Sequence, residues 1–392
     1  MAINTDVREM KRFKRNKKAK SFARKLIPAV LLIAAAAAVV LTKDMWYPKL
    51  DGIMKKIPSF TVENSGELAE GNFPISITGG SGYQLLPMNG YFSLLDESHL
   101  RIYDTNGELN CDVQHEYANP VMAANSRRVL IYDLGGKKLR VVNRHKTIYE
   151  KNMEESILFA RLSSNDNTAV ITRPDKALSQ LSVFDPNGEL IFSLTANDRR
   201  IIDVSFTENN DGIIVTTLGA LGGELVSQMT RYRYGERDSV WISDTISTMA
   251  MSTSSVEGGV LMFGDNMCAF FDGSGNYKTS VEYKNTLIDF DNSRELTALI
   301  FENQERRKTV LKMINNADNS VNELSVNGLA KDIAVEGSTV YILTSSGILS
   351  YNADGTEGAG VSLDDEYDGF VKLGGYIYLL GYDEINRIDF AG

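Results

Sequence analysis

Three histidines (His99, His115, His145) and two cysteines (Cys111, Cys268) are the residues of this 392-residue chain best suited to soft-metal chemistry. A zinc site needs three or four such ligands converging on one point. His99 and His115 are expected on adjacent strands, but no third ligand has the spacing to join them, so they read as surface residues and no metal is assigned. The cysteines are far apart in sequence, and a disulfide needs Cα atoms within about 7 Å. The repeat pattern below places them on opposite sides of one domain, so no bond between them is expected. Unpaired cysteines in an exported chain fit a compartment that does not rely on disulfides.

The segments Asp104–Gly107, Asp185–Gly188 and Asp272–Gly275 place carboxylates beside Asn, Ser and Gly, as calcium loops do. A calcium loop needs further oxygen ligands and a bidentate Glu at fixed spacing, which are missing. Asp and Asn also cap tight turns that Gly completes, and these segments are expected to be turns. LGALGGEL (218–225) has no following Lys-Ser/Thr, so it is read as the wide turn between two strands and not as a phosphate loop. No Gly-x-Ser-x-Gly elbow occurs and no Ser/His/Asp set has supporting spacing. No catalytic or cofactor-binding residue is therefore assigned, and no cofactor is expected.

The elements carrying these residues are strands. Beyond Asn72, short runs of Val, Ile, Tyr and Phe alternate with Asp/Asn/Gly turns, and no long 3.6-residue period appears. One unit recurs: a strand, an Asp- or Asn-Gly turn, another strand. The clearest copies are LRIYDTNGEL (100–109), LSVFDPNGEL (181–190), CAFFDGSGNY (268–277) and ILSYNADGTE (348–357). Weaker copies are LRVVNRHKTI (139–148), TRYRYGERDS (230–239), VLKMINNADN (310–319) and EINRIDFAG (384–392). Markers at Tyr103, Val142, Phe184, Tyr234, Phe271, Ile314, Tyr351 and Ile388 are separated by 39, 42, 50, 37, 43, 37 and 37 residues. This is the period of a four-stranded propeller blade.

Upstream strands complete the units, as with IIDVSF (201–206) and GIIVTTL (212–218), or AKDIAV (330–335) and STVYILT (338–344). The last unit has only three strands, while PISIT (74–78) is an orphan preceding the first complete unit. Pairing PISIT as the outer strand of the last blade would close the ring. The expected fold is an all-β propeller over 73–392 with about eight four-stranded blades. The count becomes seven if the long fourth or poorly patterned second unit is miscounted.

The formal charge of −10 conceals two halves. Residues 1–42 hold ten Lys/Arg against Asp6 and Glu9, leaving 31 basic and 49 acidic residues downstream, a balance of −18. Between them, Leu26–Thr42 is an uncharged run of 17 residues, at the short end for a hydrocarbon core of roughly 30 Å. Lys25 and Lys43 extend it by snorkelling, and Trp46 and Tyr47 suit the interface. The positive-inside rule puts residues 1–25 in the cytoplasm as a basic tail that also touches anionic headgroups. Everything after Lys43 is then extracytoplasmic. A cleaved signal peptide is the alternative, but the apolar run continues past the alanines through Val39, Val40 and Leu41. Residues 43–72, with prolines at 48 and 58, read as a stalk.

The strand-Asp-x-Asn-Gly-Glu-Leu turns at 104–109 and 185–190 resemble those of bacterial quinoprotein-like and WD-repeat-like propellers. The layout of basic tail, helix and propeller resembles membrane-anchored propeller proteins of Gram-positive bacteria whose function is uncharacterised. The chain departs from quinoproteins in having only Trp46 and Trp241, and from WD-repeats in lacking Gly-His and Trp-Asp pairs, so no catalytic residue is carried over.

Two functional classes fit. The first is a non-catalytic platform at the cell membrane, single-pass through 26–42, that binds a protein or the cell envelope; this is preferred. The second is an exported carboxylate-dependent glycan hydrolase or lyase with its site in the central funnel. A discriminating observation is whether Asp, Glu, Arg or His side chains converge at one mouth of the ring. Nucleic acid is disfavoured as a partner, because the acidic body repels phosphate.

Overall fold

Runs such as Thr168–Arg173 (TAVITR) and Thr339–Thr344 (TVYILT) are buried along nearly their whole length. A strand apolar on both faces needs a neighbour above and below its sheet. Outer strands such as Val321–Val326 alternate exposed and half-buried residues, as a rim requires. The computed structural model describes residues 66–77, 82–303 and 308–390. These form eight antiparallel four-stranded sheets, the blades of a propeller.

Blades one to seven span residues 84–114, 120–152, 156–196, 200–242, 250–282, 286–326 and 330–362, each a meander in chain order. Blade eight takes Gly369–Leu373, Tyr376–Leu380 and Glu384–Asp389 from the C-terminal end, and its outer strand is Ile75–Ser76. Ile75 pairs with Ile385 and Ser76 with Glu384, so the orphan strand closes the ring as expected. Contact begins earlier still: Leu68 bridges Ile388, and Ala69 N–H donates to the Arg387 carbonyl at 2.7 Å. The count is eight. The proposed tail, helix and the stalk up to residue 65 lie outside the described residues.

Period-two alternation does the packing. Val340 and Ile342 join the cluster shared with blade six, whereas Tyr341 and Leu343, between and after them, join the cluster shared with blade eight. One such cluster lies at every blade-to-blade interface, eight in all among the described residues. The closing interface holds Phe73, Ile75 and Ile77 against Phe92, Leu94 and Tyr378.

The blades alternate in kind. Blades one, three, five and seven carry the Asp/Asn-Gly turns before their outer strands, with Gly107, Gly188, Gly275 and Gly355 at φ of 79°, 88°, 81° and 86°. Each of these glycines presses on a side chain from the outer edge of the preceding, even-numbered blade: Phe73, Tyr149, Trp241 and Asn322 in turn. The even blades lack this turn. The strong and weak sequence copies are thus the two halves of a two-blade unit.

Candidate functional site

In each blade the first strand is an edge strand facing the central channel, and its outward N–H groups need acceptors. Side chains from the preceding blade's inner strand supply them. Asp203 Oδ2 accepts from Thr253 N–H at 2.7 Å, and Ser205 Oγ from Ser255 N–H at 3.0 Å. Asp291 Oδ2 accepts from Val335 N–H at 2.7 Å, and Asp332 Oδ2 from Phe370 N–H at 2.8 Å. These contacts stitch blade four to five, six to seven and seven to eight.

Burial governs the charge of these groups. Asp203 is 1% exposed, and desolvation raises its pKa even though Arg161 Nη2 lies 3.0 Å from Oδ1. Desolvation pushes Asp291 and Asp332 up to about 6. Asp289 is also raised by burial, and its carboxyl hydrogen-bonds that of Asp332 across the blade six–seven seam. Two carboxyls in contact favour sharing one proton. Carboxylates therefore gather at the blade six–seven seam; backbone N–H groups of the next blade engage Asp291 and Asp332, while Asp289 accepts from Phe290 N–H of its own strand at 2.8 Å.

The sequence carries a signal for three of these four aspartates, one not used in the reading above. Asp203 and Asp289 interrupt an apolar run near the start of an inner strand and Asp332 precedes one, each immediately after an irregularity in the pairing. An isolated aspartate in such a run implies a buried partner.

The same irregularity recurs in blades three to seven. Pairing skips one residue near the start of each inner strand: Leu158, Ile202, Met251, Ile288 and Lys331. A bulge frees the extra residue from the ladder and re-aims its side chain. All five lie at the end of the ring that carries the blade-to-blade links and the second-to-third-strand loops, here called the link face. Met251 is 42% exposed and Ile288 39%, with Met249 and Leu329 likewise exposed just ahead of their bulges. On blade four the hairpin Gly212–Leu221/Glu224–Arg233 is the longest of the ring, and its tip exposes Leu221 and Leu225. The glycine-rich segment does join the second and third strands, but not as a wide turn: 218–221 and 224–225 pair as strand, and Gly222–Gly223 alone make a tight two-residue turn at φ of 62° and 90°. The link into blade eight adds exposed Asp364, Asp365, Glu366 and Asp368, and Asp383 lies beside them on the same face. Burial first, then Asp368 and Asp383, push the adjacent Tyr83 hydroxyl up to about 12.

The other sequence candidates fall elsewhere. His99 and His115 flank the third and fourth strands of blade one, as expected. The surface reading fails for His115: it is buried, its ring 5.1 Å from that of Tyr117 and its Nε2 3.1 Å from the Asp96 carbonyl, and desolvation lowers its pKa. His99 Nδ1 lies 2.9 Å from Ser98 Oγ. His145 sits in an exposed turn of blade two. No cluster of three or more His, Cys, Asp or Glu with metal-holding geometry occurs among the described residues. Cys111 and Cys268 lie in blades one and five, both free and buried. The Asp turns are turns: Asp104 Oδ1 accepts from the N–H groups of Asn106 and Glu108, both at 2.8 Å, and Asp185 and Asp272 do likewise. Two grooves of about 510 Å³ each flank the outer edge of blade two, lined by charged residues including Lys138, Arg140, Glu150 and Lys151.

Residues 70–390 match the model of a family described as "Family of unknown function (DUF5711)". No curated protein matches the chain. Among solved structures, the chain is similar to BamB from Moraxella catarrhalis, with 12% identity, a TM-score of 0.54, and coverage of 83% of this chain and 99% of that one. It is similar to the C-terminal WD40 domain of Sif2 at 10% identity and TM-score 0.59, covering 83% and 99%. It is also similar to Saccharomyces cerevisiae Sqt1 at 10% identity and TM-score 0.58, covering 78% and 94%. At such identities the likeness is one of fold: BamB- and WD40-type propellers.

Proposed function

The chain belongs to the DUF5711 family of unknown function, and on that premise we propose that it is a membrane-tethered, extracytoplasmic propeller that binds a protein or envelope partner without catalysing a reaction. The helix at 26–42 would anchor it, with the N-terminus cytoplasmic. One observation carries the reading: the inner-edge carboxylates of Asp203, Asp291 and Asp332 are bonded to backbone N–H groups of the next blade, while apolar and acidic side chains stand exposed on loops of the braced frame. Variable loops on a rigid scaffold suit recognition. Similarity to BamB and to WD40 domains supports a platform at the level of fold.

The test is crosslinking in native cells, followed by assay of the purified protein. Specific proteins should be recovered, and no turnover of envelope glycans or peptides should be seen. Cleavage abolished by Asp332→Asn would establish the second reading instead, a carboxylate-dependent hydrolase or lyase. The Asp289–Asp332 pair favours that reading, since two carboxyls sharing a proton can serve as acid and base.

A further inference from the structure

The exposed apolar side chains of the link face are densest over blades four to seven; outside that stretch only single ones stand on it among the described residues, Leu134 on blade two, Leu178 on blade three and Tyr382 on blade eight. Leu221 and Leu225 belong to blade four, Met249 and Met251 to blade five, Ile288 to blade six, and Leu329 to the link into blade seven. The pairing register puts Met251 and Ile288 at the same bulge position, and Met249 and Leu329 at the same position just before it. These residues form an arc through consecutive blades at one end of the ring. The arc runs on into Asp364, Asp365, Glu366 and Asp368, then Asp383, all exposed. None of these five acids forms an ion pair with another described residue, whereas many acids on the opposite face do, such as Asp166 with Arg127 and Arg128, and Asp211 with Arg231 and Arg233.

Clustered apolar surface in contact with water marks a contact site, because covering it removes that surface from water. Lys331, at the bulge of blade seven, donates Nζ to the Tyr367 carbonyl at 3.1 Å, one cation set against these five acids, and carboxylates in such excess raise a negative potential that a cationic segment relieves. We propose that this crescent docks an extended segment of a partner protein whose apolar side chains lie along blades four to seven and whose Lys/Arg block meets the acidic link into blade eight. This rests on the reading of the propeller as a binding platform, and it specifies the face and the chemistry of the partner.

The test uses the full-length protein in nanodiscs and a fluorescent synthetic peptide in which alternating Leu and Ser run into a terminal block of lysines. Binding is read by anisotropy. The lysine peptide should bind, more weakly as salt rises, and a version ending in glutamates should bind at least roughly tenfold more weakly. Met251→Asp/Ile288→Asp should lower affinity roughly tenfold or more, as should Asp364→Asn/Asp365→Asn/Glu366→Gln. All these positions are exposed, so thermal melting should stay put and separate lost binding from lost fold. Leu109→Asp/Leu190→Asp, on exposed positions of the opposite half, should leave binding unchanged. No binding to the wild type, equal binding of the two peptides, or equal losses from both apolar pairs would overturn the proposal. If native partners crosslink equally well to Met251→Asp/Ile288→Asp, the platform stands and the crescent is not its docking face. If the wild type recovers no protein, the platform itself fails.

Discussion

Arg387 Nη1 donates to the carbonyl of Thr105 at 2.7 Å, joining two residues 282 positions apart. The guanidinium also lies 4.5 Å from the Tyr376 ring centroid and 5.3 Å from that of Phe73. One side chain thus ties the C-terminal blade, the N-terminal strand and a turn of blade one. Arg387→Met keeps the apolar stem but loses these bonds, and should lower the unfolding free energy in urea by about 2 kcal/mol. A chain beginning at Gly80 loses Phe73, Ile75 and Ile77 as well. It should be less stable than one beginning at Gly66 by about 5 kcal/mol and should associate through its open edge. Equal urea midpoints for the two chains would refute closure through this strand.

Proton binding at the channel edge sets a second expectation. Asp291 and Asp332 titrate near 6 in the folded protein, against about 3.9 in an unfolded chain. The folded state then binds the proton more tightly. The resulting stability is fully present below about pH 4 and is lost as pH rises through 6. Acids held low by turn hydrogen bonds, such as Asp185, Asp211 and Asp272, act oppositely and destabilise only toward strongly acid pH. The unfolding free energy, and with it the urea midpoint, should therefore rise from pH 7.5 to pH 5, by about 1.4 kcal/mol per carboxyl. Asp332→Asn, which mimics the protonated side chain, should flatten that slope. A midpoint that falls over the same interval would contradict the buried-acid account.

Two glycines with similar backbone angles separate strain from collision. Gly90 has φ 72° and open space around it, so Gly90→Ala carries only the left-handed penalty of about 1 kcal/mol. Gly275 has φ 81°, and a Cβ there would stand 2.4 Å from Trp241 Cε3. Gly275→Ala should cost about 3 kcal/mol, since it must displace the indole whose Nε1 donates to the Gly273 carbonyl at 3.0 Å. Comparable thermal shifts for the two variants would refute the turn-on-indole contact.

The proposed topology is open to labelling in intact cells, and the burial of both native cysteines keeps the background low. With a membrane-impermeant thiol reagent, Ser59→Cys should react and Ser21→Cys should not. The reverse pattern would invert the orientation.

Strands, period and closure were legible in the sequence because each rests on a local signal: apolar alternation, Asp-Gly turns at fixed intervals, and a three-strand last unit facing an orphan strand. The paired aspartates were not. Asp289 and Asp332 are 43 residues apart, and their contact depends on the stacking of two blades, which no local pattern encodes. The exposure of Met251 and Ile288 was hidden for another reason. A single-residue bulge reverses which way a side chain points, and its composition is that of any strand.

The alternation of turn-bearing and turn-receiving blades has an arithmetic consequence. Gly107, Gly188, Gly275 and Gly355 each need a side chain such as Phe73, Tyr149, Trp241 or Asn322 on the blade before. Excising one blade would set two blades of the same kind side by side, leaving one glycine notch empty or one ring without a notch. A seven-bladed or nine-bladed relative built on this plan would carry that mismatch somewhere around its circumference. Blade number in this architecture is thus governed by parity, and gain or loss should proceed two blades at a time.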